Sequence, residues 1–386
     1  MNKQGMRKRN IQATFETIYD NEGITRTQLV SKTNMSEMTV GRSVDFLLKN
    51  NMITEKLSEN TSDVGRPASR LYLNRGIVNV GLSLDPGGAF IGLIDPYGKV
   101  LHFQENRFDP RGMEPEKVLE TVAQLIEEFI AKHRPGDVNA IGMVMPGLID
   151  CKNGTMRYSS QLRWTDVPVV DILKRYPIPD VIIDNDIKAR ALGENRFGPG
   201  KKSMCSVLLN IGSGIGAGVI IDNKIYRGKE NFAGEIGHTM LGMNNRVCEC
   251  GRKGCIEATI SQPAVLGEAR AIDPEIDLAG LEAVYSKNAA WAKTLLDMTA
   301  ENILMVVNLL ANIYAPDVIV LCGSLMDQCG ALRDIIMDCY KERHAEMFNS
   351  YFNLEFSKFG PDGNLIGAAA LALNHNITKR ITDAVT

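Results

Sequence analysis

Between His238 and Glu257 the sequence reads HTMLGMNNRVCECGRKGCIE, and three of the chain's eight cysteines fall inside it. Cys248 and Cys250 are separated by one residue, so their sulfurs converge only across a tight turn. Gly251 and Gly254 supply the backbone freedom for that turn. Cys255 closes the loop, and His238 reaches in from the amino-terminal side. Three thiolates and one imidazole complete the tetrahedral shell of a structural zinc ion, with no position left for water. Arg252 and Lys253 partly offset the thiolate charge. The competing reading is reduced, buried cysteines, or one disulfide with a spare thiol. Cysteines one residue apart strain disulfide geometry, which favours zinc.

The other five cysteines, Cys151, Cys205, Cys322, Cys329 and Cys339, are scattered, as expected of buried thiols in a reducing cytoplasm. At 386 residues the chain predicts two or three domains. Its 44% hydrophobic and 23% charged content is that of a soluble globular protein. It has no unbroken apolar run of about 18 residues, so no membrane insertion is expected. The opening MNKQGMRKRN is basic, but no apolar stretch follows, which argues against a secretory signal. Charge is unevenly spread. Residues 1–75 carry 12 Lys and Arg against 8 Asp and Glu, while the remainder carries 31 against 38. A basic front on an acidic body suggests a nucleic-acid module joined to a unit with another task.

The front sequence fits that suggestion. Ile11, Phe15 and Ile18 recur at helical spacing in residues 10–20. Thr25 caps a second short helix carrying Leu29 and Val30, and Ser36 caps a third with Val40, Val44, Leu47 and Leu48 as its buried stripe. Two short helices across a tight turn form a helix-turn-helix, and Ser36, Thr39, Arg42 and Ser43 are its candidate DNA contacts. Residues 52–74 read as strand, polar tip, strand: a wing. Arg66, between Gly65 and Pro67 at its tip, is a candidate for a narrow minor groove. A winged helix-turn-helix domain is therefore expected over residues 1–76.

After Asn74 strands alternate with helices, which predicts an α/β body. The expected elements are a strand hairpin in 78–101, a helix over 114–133, strands at 139–150 and 180–186, and a helix after Asp186. A glycine-turn hairpin follows at 206–228, then a long helix over 295–316 and a strand into Gly323.

Gly142 to Asp150 with its Pro146-Gly147 loop, Asn185-Asp186, Gly212-Ser213-Gly214-Ile215-Gly216, Gly234-Glu235-Ile236-Gly237-His238 and the cysteine loop resemble the ROK family of repressors, open reading frames and kinases. The resemblance covers almost the whole chain. It implies a two-lobed, actin-like body of the sugar-kinase type. The first lobe would span residues 77–190, completed by a carboxy-terminal helix at about 366–386, and the second lobe residues 191–365. With a helix-turn-helix in front, the chain is similar to the family's sugar-responsive repressors, those for xylose and N-acetylglucosamine among them. That likeness implies operator DNA and a sugar or sugar phosphate as partners, a homodimer or dimer of dimers, and a place at the nucleoid in a bacterial cytoplasm. Asn185, Asp186, Glu235, His238 and Glu257 match residues that contact sugar in the family, with His238 serving both metal and ligand.

Asp186 also matches the general base of the family's kinases. Their first phosphate loop reads roughly Asp-x-Gly-Gly-Thr. Here Ser83-Leu84-Asp85-Pro86-Gly87-Gly88-Ala89 stands in its place, with a proline that lacks an N–H and a carboxylate that repels phosphate. Lys188 replaces the second asparagine of the kinases' Asn-Asp-x-Asn. The expectation is a regulator whose kinase body no longer transfers phosphate, with Asp186 a vestigial base. An ATP-dependent sugar kinase carrying a DNA-binding head is the alternative, and a regulator controlled by a docked protein is a third reading.

Overall fold

The computed structural model describes residues 3–57, 69–134, 138, 140–242, 245–344 and 352–383. The amino-terminal head contains α1 (Lys3–Asp20), α2 (Arg26–Thr33) and α3 (Glu37–Lys49), then the antiparallel pair β1 (Ile53–Leu57) and β2 (Ser69–Leu73). Thr25 accepts the Gln28 N–H, and the Gln28 side chain accepts the Thr25 N–H, so a capping box starts α2. Ser36 accepts the Thr39 N–H and starts α3. Asn34, at φ 54, takes the left-handed turn between them. Phe15, Ile18, Leu29, Val40, Val44 and Leu47 form the core. α1 begins at Lys3, earlier than the expected residue 10. Ser43 is corrected by the structure: it is 3% exposed, inside the Val40–Val44–Leu47 stripe rather than on the outer face. Leu48 is only half-buried. Arg66 and the wing tip lie outside the described residues.

The first lobe comprises β3 (Asn79–Asp85), β4 (Gly88–Ile94), β5 (Val100–Arg107), α4 (Pro115–His133), β6 (Ala140–Met145), β7 (Leu148–Asp150), β8 (Thr155–Ser159), β9 (Trp164–Val167), α5 (Val169–Leu173) and β10 (Asp180–Asn185). Its main sheet runs β10-β6-β3-β4-β5, while β7, β8 and β9 form a small sheet. The second lobe comprises α6 (Asp186–Phe197), β11 (Cys205–Ile211), β12 (Ile215–Ile221), β13 (Lys224–Ile225), α7 (Glu257–Ile260), α8 (Gln262–Arg270), α9 (Leu278–Ser286), α10 (Ala290–Tyr314), β14 (Val318–Cys322), α11 (Ser324–Gln328), α12 (Gly330–His344) and β15 (Asn353–Phe356). Its sheet runs β13-β12-β11-β14-β15. The two large sheets share one plan. In each, an antiparallel three-strand meander is followed by two strands added in parallel.

The final helix, α13 (Gly363–Asp383), starts a few residues before the expected 366. The expected lobe boundary at 190/191 falls within α6. α10 is long and apolar enough to cross a bilayer, but half of its apolar window is buried. Leu296, Ala300, Ile303 and Val307 lie in the second lobe's core, so α10 is a core helix.

α6 and α13 pack against each other between the lobes, α13 across β3 and β6, α6 across β11 and β12. Glycines make the contact possible. A Cβ on Gly142 would stand 1.8 Å from the Ala368 carbonyl oxygen, and one on Gly367 2.5 Å from the Ala189 carbonyl. Backbone cannot yield as a side chain does, so overpacking here is costly. Gly142→Ala is expected to destabilise the chain by about 3 kcal/mol and lower Tm by roughly 5–10 °C in a thermal melt. Gly112→Ala, where a Cβ meets nothing within 4 Å, serves as the unaffected control.

Candidate functional site

β10 delivers Asn185 to the start of α6. Its Oδ1 accepts the Lys188 N–H at 3.0 Å, and its Nδ2 donates to the Gly147 carbonyl at 3.1 Å and to Asp186 Oδ1 at 3.0 Å. The Pro146-Gly147 loop is thereby tied to the first turn of α6. Asp186 Oδ1 also accepts the Ile187 N–H at 2.9 Å. Burial pushes the Asp186 carboxyl up to about 6, against the helix-start N–H bonds, and the nearby Glu235 charge adds to the rise.

Lys188, noted in the sequence only as a departure, is 2% exposed. Its Nζ lies 3.7 Å from Glu235 Oε1. Glu235 opens the short turn Ile236–His238, which places Glu235 and His238 together. This segment runs beside β12, where Ala217 donates its N–H to the Gly234 carbonyl at 2.8 Å. Glu257 starts α7, and its Oε2 accepts the Ile215 N–H at 3.1 Å. Its Oε1 lies 3.8 Å from Cys248 Sγ. Glu235, His238 and Glu257 thus gather at the start of β12, opposite Asn185 and Asp186.

His238, Cys248, Cys250 and Cys255 offer four ligand atoms within 4.8 Å of one another, a set that can hold a metal ion. Cys250 Sγ to Cys255 Sγ is 3.7 Å, and Cys248 Sγ to His238 Nδ1 is 3.7 Å. The edge of a tetrahedron with metal–sulfur bonds of about 2.3 Å is roughly 3.8 Å, so the donor set fits. Gly251 at φ 82 and Gly254 at φ 76 make the turns. The Arg252 backbone N–H pulls the Cys250 thiol down to about 7, while burial pushes Cys248 up to about 12.

A second polar cluster, centred on Asp184 next to Asn185, had no sequence signal. Arg227, just after β13, holds Asp184 through both guanidinium arms at 2.9 and 2.6 Å. Asn231 donates to the Ile149 carbonyl at 3.0 Å, and the Cys151 thiol donates to Asp184 at 3.1 Å. These contacts pin the segment Arg227–Asn231 of the second lobe to β10 and β7 of the first.

The stretch corresponding to a first phosphate loop is a two-residue hairpin turn, with Asp85 paired to Gly88. Asp85 Oδ1 accepts the Gly87 N–H at 2.7 Å, and Pro86 has none to offer. Neither position presents a free backbone donor to a phosphate. The Gly212–Gly214 turn between β11 and β12 is held from below, since Gln262 donates its N–H to the Gly212 carbonyl at 2.8 Å.

In the head, Ser36 and Arg42 are exposed and Thr39 is half-buried. The Ser36 and Thr39 hydroxyls lie 2.9 Å apart. Ser43 does not join them.

The raised carboxyl of Asp186 has a measurable consequence. The folded state holds this proton to higher pH than the unfolded chain, so its contribution to stability falls as pH rises from about 4 to about 6. Asp186→Asn removes that loss. The variant is expected to melt higher than wild type at about pH 7.5, by at most about 3 kcal/mol, and to show no such gain below about pH 4. Thermal melts across that range give the measurement.

Residues 82–375 match the ROK family. Over 257 residues the chain is 35% identical to a xylose repressor of Caldicellulosiruptor bescii; the alignment covers 65% of this chain and 63% of that one, less than two thirds of the relative. The fold superposes on a ROK family transcriptional regulator described as a homologue of the E. coli MLC protein. The TM-score is 0.82 at 22% identity, covering 98% of this chain and 99% of the other. A ROK hexokinase from Thermus thermophilus gives 0.68 at 25% identity, covering 78% and 99%. With the match running through both lobes, the chain belongs to the ROK family.

Proposed function

We propose that this chain is a sugar-responsive, DNA-binding transcriptional regulator, acting as a repressor. One observation carries the reading: a three-helix head with a two-strand β-ribbon stands on a ROK body in which Lys188, beside Asp186, meets Glu235 next to a His/Cys set able to hold a metal ion. Ser36, Thr39 and Arg42 would meet operator DNA in the major groove, and Arg66 on the wing would enter the minor groove. Asn185, Asp186, Glu235, His238 and Glu257 would bind the hydroxyls of a sugar or sugar phosphate. The metal is zinc, held by His238 Nδ1 and the sulfurs of Cys248, Cys250 and Cys255. Four protein ligands leave it no water to activate, so its part is to fix the loop that carries His238 and Glu257. Bound through Nδ1, the His238 ring keeps Nε2 for a ligand hydroxyl. Two chains would pair so that lobe closure changes the spacing of two heads on DNA.

The body does not act as a kinase in this reading. Phosphoryl transfer is positioning and charge stabilisation, and the Asp85-Pro86-Gly87 turn supports neither.

The proposal is open to direct measurement. A thermal-shift screen of pentoses, hexoses, N-acetylated sugars and their phosphates should find a ligand that raises Tm. That ligand should weaken binding to duplex DNA selected by the protein from a random pool, while ADP release with ATP and the same sugar stays at background. ADP turnover lost in Asp186→Asn would establish a kinase instead. Arg42→Ala is expected to weaken binding to the selected DNA by roughly 5- to 150-fold. Elemental analysis should give about one zinc per chain, and Cys250→Ser should lower both zinc content and Tm.

A further inference from the structure

The helix that begins at the cleft ends at the head. α6 is 12 residues, about 18 Å, with residues 188–196 all buried. Its first turn holds Asp186 and Lys188; its last holds Arg196, 7% exposed at the side chain. Arg196 Nη1 and Nη2 donate to the two carboxylate oxygens of Glu16 in α1, at 2.6 and 2.9 Å. Nη2 also donates to Asn374 Oδ1 in α13 at 2.6 Å. The guanidinium lies 5.2 Å from the centroid of the Tyr19 ring. Tyr19 in turn donates its hydroxyl to the Pro96 carbonyl in the turn between β4 and β5, at 3.0 Å.

Three helices therefore meet at one guanidinium. α6 packs on the second lobe and α13 on the first, and they cross where Gly193 meets Gly367. α1 belongs to the head. The carboxy-terminal part of α13 is also in the head's core, through Leu373, Ile377 and Ile381. A ligand that draws Asn185 and Asp186 toward Glu235, His238 and Glu257 pulls on the first turn of α6, and any displacement of the helix along its axis is felt at its glycine crossing with α13. A planar fork holding acceptors on both other helices cannot follow such a slide and keep every bond. Breaking a buried ion pair is costly, so a displaced α6 would strain α1 through Glu16 before it released it.

We propose that Arg196 is the positioning residue that carries occupancy of the cleft to the DNA-binding head, by clamping Glu16 of α1 and Asn374 of α13 at the far end of α6. The proposal rests on the effector reading above for what occupies the cleft, but not for the linkage itself.

Hydrogen exchange by mass spectrometry on the full-length, zinc-loaded protein tests it. Two perturbations are applied at the cleft: D-xylose, and Asp186→Asn without ligand. In the otherwise wild-type chain each should change exchange at the start of α6 and also in residues 11–20 of α1. In Arg196→Lys and in Glu16→Gln, the change at the cleft should persist while the α1 response falls below about half. The reversed pair Glu16→Arg/Arg196→Glu should restore part of it, which a merely structural role would not do. Glu16→Gln, isosteric and on the more exposed side of the pair, covers the case in which Arg196→Lys fails to fold. An α1 response of wild-type size in the folded single variants overturns the proposal. So does an α1 segment that answers neither perturbation in the otherwise wild-type chain. If D-xylose changes nothing but Asp186→Asn still reaches α1 through Arg196, the linkage stands and D-xylose is excluded as the occupant.

Discussion

The architecture depends on how closely α6 and α13 approach. Gly193 and Gly367 let the two backbones meet with no side chain between them, and Gly81 and Gly142 admit the carbonyls of Leu365 and Ala368. A contact made of backbone and small residues packs at crystal-like density and has few alternative arrangements. It leaves no room for polar chemistry at the crossing, so that chemistry sits elsewhere along α6. The helix buries Lys188, Arg190, Glu194 and Arg196, and a buried charge must be paired. Lys188 faces Glu235. Arg190 donates to the Gly360 carbonyl at 3.0 Å, and Glu194 accepts from Ser357. Arg196 holds Glu16. The partners fall on three parts of the molecule, so α6 is fixed at successive turns to the Glu235 turn, to the segment 357–360 and to the head.

Lys188 sits badly by local rules. A cation in the first turn of a helix opposes the helix dipole, and burial opposes its charge. Such a residue persists only where neighbouring anions offset both effects, and Glu235 and Asp186 do so. In a phosphoryl-transfer site an ammonium beside the base would lower its basicity and compete for the sugar hydroxyl. In a binding site it orients Glu235 and reduces the mutual repulsion of the carboxylates. The Asp85-Pro86-Gly87 turn points the same way. Both departures from the kinase pattern fall on phosphate and base positions, while Asn185, Glu235 and Glu257 keep their hydrogen-bonding side chains in place.

What was legible in the sequence was what is local. The cysteine loop is legible because its candidate ligands lie within 18 residues, and its glycines at positive φ are part of the same signal. The Thr25 and Ser36 caps, the hairpins and the helix after Asp186 follow from short-range rules in the same way. Ser43 was misplaced although the period was informative. It stands three residues from Val40 and four from Leu47, on the buried stripe, although a serine's hydroxyl suits an exposed face. The pairing of Glu16 with Arg196 spans 180 residues and has no local trace. Leu373, Ile377 and Ile381 show an apolar stripe, but nothing in their spacing says that it meets a DNA-binding head. The strand expected over 139–150 breaks at Pro146-Gly147 into β6 and β7, and β8 and β9, only five and four residues long, carry no clear periodicity.

The cleft is held unequally on its two sides, which determines where it can move. Asp184 is 1% exposed and receives both arms of Arg227, together with the Cys151 thiol. Pulling Arg227 away would strand a buried carboxylate, at a cost of about 3–5 kcal/mol. The Arg227–Asn231 segment is therefore a fixed corner between the lobes. Across the cleft, Lys188 meets Glu235 at 3.7 Å, and the Glu235 side chain is 37% exposed. That contact can lengthen or be replaced by a ligand hydroxyl at small cost, because water and sugar offer Glu235 similar bonds. If the proposed effector binds here, the Glu235–His238 turn and the start of α6 are the parts that would yield, with the Asp184 corner held in place. A fixed corner at one end and an unbroken helix leading away from it would carry such a displacement along α6 to its far end, where Arg196 holds Glu16.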